Sequence, residues 1–135
     1  KTGQGAIIYP MSKAKILVAE DDPVLRGIYD KKFSIAGYDV LATSDGLGVI
    51  DILEKGAPDL LLLDIHMPKV DGFQILQKYQ REKRSFPIIM LTNFAEPEYK
   101  LRSIELGADD YFVKKDMTIR SLLDMVERLL KKKNS

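Results

Sequence analysis

"LLLDIHMPKVDG" (residues 61–72) is a run of leucines that stops on an aspartate and leads into Met-Pro and Asp-Gly. A short apolar run of about four to eight residues bounded by turn formers reads as a strand buried on both faces, as in a parallel sheet. Asp64 then stands at the exit of that strand. It is either a solvated loop residue or a carboxylate at the carboxyl edge of the sheet, where open α/β sheets gather their chemistry. The rest of the chain decides between the two.

Outward from this stretch the sequence alternates two periods. "AKILVA" (14–19), "YDVLAT" (38–43), "DLLLL" (59–63), "FPIIML" (86–91) and "DYFVK" (110–114) are short runs rich in Leu, Ile, Val and aromatics, each a strand candidate. Helical stretches lie between them. The first has Asp22 as N-cap and Pro23 at the first helical position, with Leu25, Ile28, Tyr29 and Phe33 inward and Gly37 as the stop. The second is expected over 44–56, the third over 71–83 and the fourth over 97–107. In the last, Ile119, Leu122, Leu123, Val126, Leu129 and Leu130 share one face at a 3.6 period, and lysines in the final turn suit the helix dipole. Strands alternating with helices imply βαβ units with right-handed crossovers, hence a parallel sheet in an α/β three-layer sandwich.

The 135 residues, 45% hydrophobic and 30% charged, suit one domain with a real core. With 21 basic and 20 acidic side chains the formal net charge is +1, so no global field argues for nucleic acid or an anionic membrane. There is no cysteine, which excludes disulfides and thiolate metal sites and fits a cytoplasmic protein. No apolar run approaches the roughly 20 residues of a membrane helix. The opening "KTGQGAIIYPM" lacks the pattern of a signal peptide, and residues 1–12 are read as a tag or disordered arm ahead of a domain over 13–133.

Such a topology brings the strand ends to one edge: "AEDDP" after the first strand, "LDIHMP" after the third, "LTNF" after the fourth and "VKKD" after the fifth. Singly these are ordinary turn and cap residues. Together they gather acids, a hydroxyl and a lysine. Carboxylates from two strands, with an anion supplying further oxygens, suit magnesium, which binds through one or two carboxylates and keeps several waters.

With Glu20, Asp21 and Asp22 after "ILVA", then "LLLDIHMPKVDG", "MLT" and "GADDYFVKK", the chain resembles the response regulator receiver domain from Lys13 to Lys132. The sharpest part is D-x-x-M-P-x-x-D-G at Asp64, Met67, Pro68, Asp71 and Gly72. The resemblance implies a (βα)₅ flavodoxin-like fold with strand order 2-1-3-4-5. It implies that Asp64 accepts a phosphoryl group from the phosphohistidine of a sensor histidine kinase or histidine phosphotransfer protein. Mg²⁺ would be bound by Asp21 and Asp64, by Glu20 mostly through water, and by the backbone carbonyl of His66. Thr92 would bond the phosphoryl group, Lys114 would pair with it, and Tyr111 would change orientation with Thr92 as a switch. The face formed by the fourth helix, fifth strand and fifth helix would serve partners. There Lys100, Arg102, Glu105, Asp109, Arg120 and Glu127 are candidate pairs for a weak homodimer that tightens on phosphorylation. Direct nucleic acid binding and membrane insertion are not expected.

A receiver of this kind is a signalling domain rather than an enzyme with an external substrate: it catalyses only its own phosphorylation and slow dephosphorylation. No P-loop or full G-x-G-x-x-G occurs, and "GLG" (46–48) reads as a helix start. The single histidine, His66, has no second imidazole with which to build a nitrogen site. Two positions depart from the family pattern. Lys115 stands where receivers place a cis proline, leaving a trans, reshaped loop or a strained cis bond as alternatives. Asn93 replaces a small residue after Thr92 and narrows access. Phe94 is expected to shield the phosphoryl group from water, and His66 to act in the opposite sense, with slow loss as the net outcome. Within the family the runner-up is a receiver fragment of a hybrid kinase or multidomain regulator. Outside it stand an aspartyl-phosphate phosphatase, which wants an acid where His66 stands, and a flavin mononucleotide binder, whose phosphate "AEDDP" would repel.

Overall fold

The protein is described from a computed structural model that covers residues 13–93 and 95–133, so the reading of residues 1–12 as an arm lies outside the described residues. The elements are β1 (Lys15–Ala19), α1 (Pro23–Ile35), β2 (Asp39–Thr43), α2 (Gly46–Lys55), β3 (Leu60–Asp64), α3 (Gly72–Lys78), β4 (Ile88–Thr92), α4 (Pro97–Glu105), β5 (Asp110–Val113) and α5 (Ile119–Lys133). The strands form one sheet in the order β2-β1-β3-β4-β5, and every pairing is parallel.

The leucines of β3 are fully buried because the strand is central and covered on both faces. Alternate side chains divide between two cores. Leu17, Leu61, Leu63, Ile88 and Met90 pack with Val49 of α2 and Ile75 and Leu76 of α3, while Ile16, Val18, Leu60, Leu62 and Ile89 pack with Tyr29 and Phe33 of α1 and Leu122 and Val126 of α5. Each such leucine contributes roughly 1.5–3 kcal/mol by leaving water. The register sets Asp64 beside Leu91 and Thr92 beside Val113, so the last residues of β3, β4 and β5 come level at one edge.

Local signals behave as their chemistry requires. Asp22 caps α1 by accepting the Val24 N–H at 2.8 Å, and Gly37 takes the positive φ of +101° that ends the helix turn. Two expectations need correction. Ile28 does not point inward; it is 38% exposed, in a surface stripe with Val24 and Ile35, because Tyr29 and Phe33 already fill the space beneath α1. The third helix stops at Lys78 rather than 83, and Arg81–Lys83 form a separate 3-10 turn. The cause is Arg84, whose Nη1 donates to the Tyr79 carbonyl at 2.7 Å and draws the chain out of helical geometry. "GLG" does start α2. A Cβ on Gly46 would lie 2.0 Å from the Val70 carbonyl oxygen, and one on Gly48 1.9 Å from Thr43 Oγ1, so these glycines serve close packing.

Candidate functional site

Four strand-end side chains meet beyond the carboxyl edge of the sheet. Glu20 follows β1, Asp64 ends β3, Thr92 ends β4 and Lys114 follows β5; Glu20, Asp64 and Thr92 are buried, and the Lys114 side chain is 6% exposed. Lys114 Nζ lies 2.7 Å from Glu20 Oε1 and 3.2 Å from Asp64 Oδ2, one cation between two buried carboxylates. Its amine is delivered there by the loop after β5, where the Lys114 N–H donates to the Thr92 carbonyl at 2.7 Å. The Lys114–Lys115 peptide is trans, as is every peptide bond among the described residues, which decides between the two alternatives for that loop.

The acidic loop is fixed from below. The Asp22 N–H donates to Glu20 Oε2 at 3.0 Å, and Arg26 Nη1 donates to the carbonyls of Glu20 at 3.0 Å and Asp21 at 3.3 Å. Arg26 was not singled out from the sequence. The available signal was its place four residues after the N-cap, since helix side chains lean toward the N-terminus and a long one there reaches back over the preceding loop. On the other side the Gly72 N–H donates to the Ile65 carbonyl at 2.8 Å, and a Cβ on Gly72 would lie 2.6 Å from the Asp64 carbonyl oxygen. The Asp-Gly of the motif is thereby explained: Asp71 caps α3 in a reciprocal pair with Gln74, and Gly72 lets the helix start against the strand that ends in Asp64.

Charge crowding shows in Glu20. Its carboxyl is pushed up from 4.5 to about 7, mainly by burial and then by a hydrogen bond shared with Asp64, against the pull of Lys114 and the Asp22 N–H. Glu20 Oε1, though close to Lys114, is buried without a partner in hydrogen-bonding geometry. A cleft of about 310 Å³ opens above these groups, lined by Glu20, Asp21, Asp22, Leu25, Asp64, His66, Asn93 and Lys114. Asp21 is exposed at its side, and the His66 N–H donates to Asp64 Oδ1 at 3.3 Å. Thr92 and Tyr111 are joined by a side-chain hydrogen bond, with Tyr111 9% exposed and its hydroxyl pushed up by burial. Phe94, with its expected shielding role, lies outside the described residues.

These donors fit magnesium. Among the described residues no group of three or more His, Cys, Asp or Glu side chains is arranged to hold a metal ion by itself, but magnesium needs only one or two carboxylates and keeps several waters, and Glu20, Asp21 and Asp64 line one open cleft. A larger depression of about 400 Å³ lies at the opposite edge beside Arg84 and Asp109, but Arg84 spends its donors on protein acceptors there. Asp109, one of the residues named for pairs with a second copy, is held within the chain, its Oδ2 lying 2.8 Å from Arg84 Nη2. Arg102 is likewise engaged, with its guanidinium 4.3 Å from the Phe73 ring centroid.

The family described as response regulator receiver domain matches residues 16–127. The chain belongs to the response regulator receiver domain family. Its fold agrees: the receiver domain of Francisella response regulator 1452 superposes with a TM-score of 0.82 at 28% identity, covering 89% of this chain and 98% of that one. "Probable transcriptional regulator ycf27" of Porphyridium aerugineum is 40% identical in an alignment of 124 residues that covers 87% of this chain and 51% of that protein. "DNA-binding dual master transcriptional regulator RpaA" of a Synechocystis strain is 34% identical in an alignment of 120 residues that covers 87% of this chain and 49% of that protein. The receiver thus spans about half the length of these relatives. No helix among the described residues is long and apolar enough to cross a membrane.

Proposed function

We propose that the unit over residues 13–133 is a cytoplasmic phosphoacceptor that takes a phosphoryl group from a phosphohistidine onto Asp64. The observation that carries this reading is Lys114 Nζ set between Glu20 and Asp64 at the mouth of a cleft, in a chain of the receiver family. An Asp64 carboxylate oxygen attacks phosphorus in line as the P–N bond breaks, and the donor imidazole leaves with the electron pair. Glu20, Asp21, Asp64 and the His66 backbone carbonyl would hold Mg²⁺, which supplies positive charge to the phosphoryl oxygens. Lys114 supplies the second cation, and Thr92 turns its hydroxyl from Tyr111 to the phosphoryl group.

Release of Tyr111 from Thr92 is the proposed switch, read out on the face of α4, β5 and α5 by weak homodimerisation. On α1, whose Leu25 lines the cleft, the exposed side chains of Val24, Ile28 and Ile35 along the helix support docking of a helical phosphodonor such as a sensor histidine kinase or histidine phosphotransfer protein. The domain itself touches neither nucleic acid nor lipid. One observation favours a second reading, a receiver acting within a multidomain regulator: the relatives are about twice as long as the matched part.

Intact-mass spectrometry after incubation with acetyl phosphate tests the reading. One phosphoryl group should appear on the parent with Mg²⁺, and none with chelator or on Asp64→Asn. An unmodified parent, or equal modification of Asp64→Asn, would overturn it.

A further inference from the structure

Few buried groups hold α4 to the body of the domain. Ser103 is its one buried residue, while Leu101 and Ile104 stand 57% and 52% exposed. Its first half is held by aromatic contacts. Tyr99 packs against the core cluster under α3, its ring lying at 10° to that of Phe73 with centroids 6.4 Å apart, an offset stack. Arg102, nearly one turn on, lies over the same Phe73 ring. Tyr99 also meets the His66 ring edge to face, with centroids 5.9 Å apart and planes at 71°. His66 lies two residues beyond Asp64, lines the same cleft and donates its N–H to Asp64 Oδ1. A continuous run of contacts therefore leads from the Asp64 carboxylate through His66 and Tyr99 to α4.

Resting on the reading of Asp64 as phosphoacceptor, we infer that Tyr99 is a positioning residue that pins the His66 ring at the mouth of the Asp64 cleft, so that the seating of α4 governs how fast water removes the phosphoryl group. An imidazole that loses this contact has one restraint fewer and spreads over more rotamers, so it covers the cleft for less of the time. The edge-to-face pair favours one of them. Held by Tyr99, the ring blocks water, the reverse of the role expected of His66 from the sequence. On this account a partner that displaces α4 shortens the life of the phosphorylated state, and one that seats it prolongs that life. This connection is separate from the Thr92–Tyr111 hydrogen bond and uses none of its atoms.

The test is the rate of phosphoryl loss by intact mass after removal of acetyl phosphate, in the parent, Tyr99→Phe, Tyr99→Leu, His66→Ala and the His66→Ala/Tyr99→Leu double variant. Tyr99→Leu should shorten the lifetime by about two- to tenfold, the span that one ring pair can hold, while Tyr99→Phe keeps the parental value. With His66→Ala in place, Tyr99→Leu should have no further effect. An equal effect of Tyr99→Leu in both backgrounds would mean that Tyr99 acts without His66 and would overturn the inference, as would a lifetime indifferent to Tyr99→Leu. Failure of the parent to accept any phosphoryl group would instead remove the reading of Asp64 on which the inference rests. Thermal melts of each variant separate these outcomes from unfolding.

Discussion

Each edge of the sheet holds a buried cation against a carboxylate, and the two are finished differently. At the edge where strands begin, the Arg84 side chain is 1% exposed and donates through Nε to Phe86, through Nη1 to Tyr79, and through Nη2 to Gly107 and Asp109, at 2.6–2.9 Å. Asp109 Oδ2 accepts the Ile88 N–H as well, at 2.8 Å. At the edge where strands end, Lys114 faces two carboxylates at the wall of an open cleft, and the Glu20 carboxyl is pushed up to about 7. A buried ion pair is a fastener when every donor and acceptor is met, and a reactive group when some are left for a ligand. The planar five-donor fork of arginine suits the first task, and the compact ammonium of lysine suits the second.

The largest expected effect would come from unfastening the first edge. Arg84→Met leaves the Tyr79 and Phe86 carbonyls without their side-chain donor, and Gly107 and Asp109 with only the longer contacts of Arg81 and the Ile88 N–H. It should cost about 2–4 kcal/mol in urea denaturation. Phosphoryl acceptance by the fraction that stays folded should be unchanged. Loss of acceptance in folded Arg84→Met would break the separation of the two edges.

A smaller effect is expected from pH at the second edge. The folded protein keeps a proton on Glu20 that the unfolded chain releases between 4.5 and about 7, so this contribution to stability is full below 4.5 and is lost as pH rises through about 7. Metal-free parent should therefore lose stability between about pH 5 and about pH 7.5, and Asp64→Asn, which removes the charge opposing Glu20, should lose less. Equal slopes from urea midpoints at the two pH values would contradict the crowding described for this edge.

The smallest effect belongs to the loop that leads away from Asp64. Lys69 has φ of 71°, a left-handed conformation that disfavours a side chain, and its Nζ pairs with Asp45 at 3.5 Å on the surface. Lys69→Gly should raise stability by up to about 1 kcal/mol, because the strain it relieves exceeds the worth of an exposed pair. A clear loss by differential scanning calorimetry would show that the pair, not the strain, dominates.

What the sequence disclosed follows the range of the forces involved. The alternation of strands and helices was legible from hydrophobic runs, and the strand order and the roles of Glu20, Asp64, Thr92 and Lys114 from resemblance, both carried by local strings such as "LLLDIHMPKVDG". Arg84 was invisible because its partners Gly107 and Asp109 lie 23 and 25 residues away, and no periodicity marks an arginine that will be buried. The early stop of α3 coincides with a local bond of the same arginine, from Nη1 to the Tyr79 carbonyl five residues back, which helical periodicity does not reveal. Ile28 was misplaced because helical spacing allowed it inward, and only the bulk of Tyr29 and Phe33 turned it out. Tyr99 carried no sign either: its place beside His66 depends on how two loops and α4 stack, which sequence spacing does not encode.

The most direct measurement is a Mg²⁺ titration followed by backbone amide shifts in the parent, Asp64→Asn, Asp21→Asn and Arg84→Met, each under conditions where it is folded. Mg²⁺ should bind the parent and Arg84→Met alike and bind both aspartate variants about tenfold more weakly or less, with shifts centred on the β1–α1 loop and on Asp64. Undiminished affinity in Asp64→Asn, or affinity lost in folded Arg84→Met, would contradict the claim that one edge of the sheet is a fastener and the other a site.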